Sequence, residues 1–247
     1  MKNQRHFVLG LAGGLGTALL IAMGATGAAA QIDPASPTGS HLRVDPDKIA
    51  GEEAGDMQKG FGRCIFEVNH QTAVKILLNG DPMTVDLVAA HLHSSDISHA
   101  LEHCLGQQAQ GTDFNISASF SSQTLHSMLE EAAYLEINRT APELSPVTAP
   151  AERRFVSLGT DLPKAQAMAA ISDCLIVKDP KGADALLRTI PGGPGEHADA
   201  VALAPSLGSC LTAGQSLKLT PAVIRNLAAD GLFTRYAQPA LIASYRK

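Results

Sequence analysis

The sequence predicts a mainly α-helical protein: two tandem copies of a small helical domain, about four short helices each, with minor β and one disulfide per copy. Three observations carry this prediction. Apolar residues recur at helical spacing behind cap-and-proline starts. A block of sequence returns later in the chain together with its two cysteines. The 247 residues are 45% hydrophobic and 17% charged, which excludes a charged disordered tail and leaves enough apolar surface for a core.

From the N-terminus, residues 1–30 have the order of a secretory signal. Lys2 and Arg5 precede the uncharged run Phe7 to Met23, and Ala28, Ala29 and Ala30 supply the small residues of a cleavage site. The run is at the short limit for spanning a bilayer and carries four glycines, so cleavage is expected rather than retention as an anchor. No cysteine stands at the cleavage site, which argues against a lipid anchor. The formal charge is −5, and loss of Lys2 and Arg5 makes the mature chain more acidic still. With no Trp and only 4% aromatic residues, neither a nucleic-acid surface nor a stacking platform is expected. Residues 31–60 then read as a flexible segment, with Pro34, Pro37 and Gly39 near its start, leading into the first copy at 61–141.

The repeat is gapless within each block. Cys64, Ile65, Phe66, Ala73, Ile76 and Leu77 align with Cys174, Leu175, Ile176, Ala183, Leu186 and Leu187. Ile97, Leu101, Cys104 and Leu105 align with Leu203, Leu207, Cys210 and Leu211. Leu125, Met128, Glu131 and Tyr134 align with Ile224, Leu227, Asp230 and Phe233. A period near 100 residues is too long for a solenoid and fits a duplicated domain.

In copy 1, Ser122 is placed to cap a helix carrying Leu125, Met128, Leu129 and Tyr134. Alternation at Phe114, Ile116, Ala118 and Phe120 suggests a short strand before it. Pro142, Pro146 and Pro150 mark a linker at 142–150, and copy 2 occupies 151–247. There, Ala165 to Val177 reads as a helix holding Cys174. Asp179-Pro180 and Thr220-Pro221 open two more, whose stripes are Ala183, Leu186, Leu187, Ile190 and Val223, Ile224, Leu227, Leu232. Pro191 to Gly195 reads as a flexible loop, and Leu217 to Leu219 as a second extended piece.

Four cysteines in an exported chain form two disulfides. Duplication selects Cys64–Cys104 and Cys174–Cys210 from the three connectivities. A four-cysteine zinc site lacks the close pairs that such sites use.

The histidines offer the one recognisable catalytic pattern. His91, His93, His99 and His103 cluster in copy 1, with His70 and His126 farther off. His99-Ala100-Leu101-Glu102-His103 matches H-x-x-E-H, in which two histidines one turn apart bind zinc and the glutamate activates water. Against this, copy 2 has Pro205 to Ser209 at the equivalent stretch, and the motif abuts Cys104. An exposed polar helix face is the expected role. A metal-dependent hydrolase centred on His99, Glu102 and His103, with zinc as cofactor, is the alternative. No nucleophile elbow is present, and Glu52, Glu53, Asp56, Glu130 and Glu131 read as helix-surface carboxylates. Asn115 and Asn138 match the glycosylation pattern, and the match is expected to be coincidental.

The repeated string itself, from Cys174 to Arg188 and then Leu203 to Cys210, resembles exported proteins of sphingomonad-type alphaproteobacteria, a group without an assigned activity. The resemblance implies export and duplication and carries over no site residues. The resulting expectation is a periplasmic or secreted, non-catalytic binding or structural envelope protein. It would need no cofactor, keep no stable membrane anchor after cleavage, and meet an envelope or extracellular partner.

Overall fold

The computed structural model describes residues 51–108, 121–144, 150–211 and 217–245. The expected signal, most of the segment 31–60, the alternating stretch at 114–120 and Pro146 lie outside these residues. In chain order the helices are α1 (Glu52–Val68), α2 (His70–Leu78), α3 (Ser94–Gln108), α4 (Ser122–Ile137), α5 (Leu162–Lys178), α6 (Pro180–Arg188), α7 (Pro194–Gly208) and α8 (Pro221–Leu232). A π-helical turn, Phe233–Ala237, then leads into α9 (Gln238–Tyr245). The fold is all-α. Among the described residues the expected minor β reduces to one isolated bridge between Gly80 and Val85, and Leu217 to Leu219 is irregular.

The cap signals act as their chemistry requires. Asp179 accepts from the Gly182 N–H at 2.9 Å, and Thr220 from the Val223 N–H at 3.3 Å, each ahead of a proline whose missing N–H costs the first turn nothing. For α4 the cap is Ser121, accepting from the Thr124 N–H at 3.1 Å, so the expected Ser122 is instead the first helical residue. The helix at 52–68 starts nine residues ahead of the expected first copy, and Ile190 falls beyond the end of α6.

Both disulfides are present: Cys64–Cys104 ties α1 to α3, and Cys174–Cys210 ties α5 to the turn after α7. Cys104 lies inside its helix, whereas Cys210 lies two residues past Gly208. Two disulfides belong to an oxidising compartment outside the cytoplasm. No helix among the described residues is long and apolar enough to cross a membrane.

The core is arranged around α4 and α8, which pack on each other. Helix α1 packs on α4, α5 on α8, and α6 and α7 flank α8. One hydrophobic core runs through both halves, from Phe61, Ile65 and Leu77 to Leu175, Leu203 and Phe233. Because α4 is covered on every side, ten successive residues from Leu125 to Tyr134 are buried. That corrects the surface placement of Glu130 and Glu131, which are 2% and 9% exposed.

Small residues set the closest approaches. A Cβ on Gly62 would lie 3.0 Å from the Met128 carbonyl, and one on Gly231 only 2.7 Å from that of Ser172. The loop at Pro191–Gly193, expected to be flexible, is packed against the start of α1: a Cβ on Gly55 would fall 1.7 Å from the Pro191 oxygen. Gly192, at φ +75°, passes so near Gly51 that only glycine fits.

Candidate functional site

A groove of about 760 Å³ opens between α1 and α4, closed at one end by Arg188, Ile190 and Pro191. Its size is that of a small-ligand or short-peptide site. Asp56, Lys59, Arg63 and Glu67 recur every three or four residues along α1, so all reach one flank. Helix α4 contributes Ser127, Glu131 and Glu136 from the other side, and Arg139 follows two residues past its end.

The floor is a buried ion network. Arg225 of α8 grips Glu131 with two bonds, Nε to Oε2 at 2.7 Å and Nη2 to Oε1 at 2.6 Å. The same guanidinium donates to the carbonyls of Leu186 (3.1 Å), Leu187 (3.0 Å) and Thr189 (3.0 Å), and to Glu196 at 3.3 Å. Lys59 donates to the Leu187 and Thr189 oxygens at 2.7 and 2.8 Å and lies 3.8 Å from Glu131. Two cations from other helices thus cap the carbonyls at the end of α6, where Leu186 also accepts from the Thr189 N–H and hydroxyl. Burial lowers the Lys59 ammonium from its usual range, and Glu131 opposes that shift.

Higher in the groove, Arg188 holds Asp184 through two 2.9 Å bonds and caps the end of α4 at the Asn138 oxygen, also at 2.9 Å. Tyr134 donates to Asp184 at 2.7 Å, and its hydroxyl is pushed far above its ordinary range, by burial first and by that bond second. Arg139 pairs with Glu136 at the rim. Arg63 has no hydrogen-bonding or ion-pair partner among the described residues, which leaves its five donors for a ligand.

The histidines lie elsewhere. His99 and Glu102 are on the outer face of α3, with side chains 81% and 76% exposed and 3.9 Å between Nδ1 and Oε2. His103 is exposed on the same helix and contacts Gln107 at 3.1 Å. His91 sits in the turn before α3 with φ 51°, and His93 just ahead of the helix. His70 begins α2 against the Phe66 ring. Among the described residues no three His, Cys, Asp or Glu side chains converge as a metal ion would need. All four cysteines are in disulfides.

Sequence reasoning missed Arg225, Lys59 and Arg63. A signal for Arg225 existed. Glu131 and Asp230 align when the two halves of the sequence are laid over each other at an offset of 99, and the same spacing aligns His126 with Arg225. Polar residues kept at the same two places of both buried central helices point to a crossing stabilised by charge. No family model, curated protein or solved structure matches the chain.

Proposed function

We propose that this chain is a periplasmic or secreted, non-catalytic binding protein, freed of its first 30 residues on export. In this reading it is built from two copies of one helical unit and takes a short peptide segment of mixed charge in the α1–α4 groove. The observation that carries it is Arg63, an uncommitted cation in a ligand-sized groove whose deeper charges are already satisfied. Glu67, Glu136 and Arg139 around it supply both signs, which suits a backbone with ionic side chains better than a simple anion. Helices of 17, 9, 15 and 16 residues followed by helices of 17, 9, 15 and 12 support the two-copy reading.

The test uses the chain recovered from the periplasm, whose intact mass should begin at Gln31. It is incubated with a library of short charged peptides, and bound and unbound fractions are read by mass spectrometry. Arg63→Glu should cut retention at least about tenfold, which corresponds to ~1.4 kcal/mol, without changing the thermal midpoint. Undiminished retention would overturn the groove. Shortened peptides that need added zinc and vanish in Glu102→Gln would establish the hydrolase alternative instead.

A further inference from the structure

A second cluster of charges lies on the neighbouring face of α4. His126 and Glu130, one turn apart, are 4% and 3% exposed at the side chain, with His126 Nδ1 3.4 Å from Glu130 Oε1. Helix α8 adds Asp230, the loop after α2 adds Asp81, and α5 adds Asp173, which Arg235 of the π-helical turn holds at 2.6 Å. A Cβ on Gly80 would lie 2.3 Å from the His126 ring, so that ring is clamped in place.

Residues 151–157 cross this cluster as a strap, and each attachment ends on a carboxylate. The Ala151 N–H donates to Asp173 at 3.4 Å. Arg153 donates to Asp230 at 2.6 Å. The Val156 and Ser157 N–H groups reach Asp81 at 2.9 and 2.6 Å, and the Ser157 hydroxyl reaches it at 2.9 Å.

The charges do not balance without a proton. Asp81 accepts from four backbone N–H groups and the Ser157 hydroxyl, Asp173 pairs with Arg235, and Asp230 accepts from Arg153 at Oδ1 while its Oδ2 has no partner among the described residues. Glu130 has His126 at 3.4 Å and lines two small cavities together with Asp230. Two carboxyl groups buried in one cluster repel each other when both are ionised, which favours a proton on one of them. Burial and the Asp230 charge hold the Glu130 carboxyl well above the usual carboxylate range, while burial lowers the His126 imidazole, so the proton rests on Glu130.

We propose that residues 151–157 form a pH-responsive latch whose catch is Glu130. Protonated, Glu130 is neutral and leaves Arg153 to Asp230, the contact that fastens the strap. When the O–H bond breaks, the proton passes to water, with His126 the adjacent base. The new carboxylate then repels Asp230 and competes for Arg153, and the strap loosens. Two cavities of about 20 Å³, both lined by His126, Glu130 and Asp230, each have room for one water on that path. This latch is independent of the α1–α4 groove.

The experiment follows two signals of the full mature chain from roughly pH 6 to pH 10: the ¹³C carboxyl resonance of Glu130, and hydrogen-exchange protection of the Val156 and Ser157 amides after correction for intrinsic rates. The expected result is a Glu130 titration above that of the exposed carboxylates, with protection falling about tenfold or more at the same midpoint. Glu130→Gln, which keeps a donor and cannot ionise, should hold protection level throughout. Titration of Glu130 with the exposed carboxylates would overturn the proposal, as would an unchanged alkaline loss in Glu130→Gln. Should that variant not fold, the wild-type signals decide alone, since separate midpoints also overturn it.

Discussion

Replacing Arg225 tests the network that joins the two central helices. In Arg225→Met the volume is roughly kept, but Glu131 loses both short bonds and Glu196 loses its cation, with side chains only 11% and 6% exposed. Removing one partner of a buried pair costs about 3–5 kcal/mol, because the remaining charge stays out of water. Four contacts place the cost near the lower end. Lys59 stays 3.8 Å from Glu131 and keeps the Leu187 and Thr189 carbonyls, and Leu186 still accepts from the Thr189 hydroxyl at 2.7 Å. The expected loss is therefore about 3 kcal/mol. Adding Glu131→Leu removes the stranded charge and should recover at least about half of it, a coupling of roughly 1.5 kcal/mol or more. Trp is absent, so urea unfolding is best followed by far-ultraviolet circular dichroism. A loss under about 1 kcal/mol at unchanged denaturant slope would refute the reasoning, as would a double variant as unstable as the sum of the two single ones.

Reducing the disulfides, which span 40 and 36 residues, should each lower stability by about 4 kcal/mol in the chain-entropy account, read as a fall in urea midpoint. Gly55→Ala should destabilise by about 1–3 kcal/mol, since Pro191 must move. Gly106→Ala, with nothing within 4 Å, should stabilise by roughly 0.5 kcal/mol in the same assay. Changing His99 and His103 together to Gln should leave stability within about 0.5 kcal/mol, and a larger loss reproduced by chelators would reveal a structural metal. His126, whose folded value is lowered below 6.5, contributes stability that is complete above that pH and is lost as pH falls through the folded value. A pH series of unfolding midpoints should therefore show an acid decline that is reduced in His126→Gln.

Helix starts were legible wherever a local rule governed them. Asp179-Pro180 and Thr220-Pro221 fix a cap and a first-turn φ within two residues, so no distant contact can move them far. The cysteine pairing was legible because matching stretches of sequence put two cysteines in each half. The central helix was not. A helix covered all round loses the apolar and polar faces that periodicity reads, so Glu130 and Glu131 looked like a solvated pair. The π-helical turn, Phe233–Ala237, was equally hidden, for nothing in FTRYA distinguishes a widened turn from a regular one. The groove depends on side chains from α1, α4, α6 and α8 meeting in space, and no spacing along the chain encodes that meeting.

The charge pairing between halves also constrains the order of events during synthesis. Glu131 receives its guanidinium from a residue 94 positions later, and Asp81 its strap donors from residues 75 and 76 positions later. The first half leaves the ribosome with Glu131 lacking its guanidinium, Asp81 lacking its strap donors, and the side of α4 that meets α8 uncovered. Cys64 and Cys104 can meet early, whereas the face of α4 that packs on α8 stays uncovered until that helix has followed. A chain stopped before α8 is therefore expected to be cut by a protease more readily than the complete one.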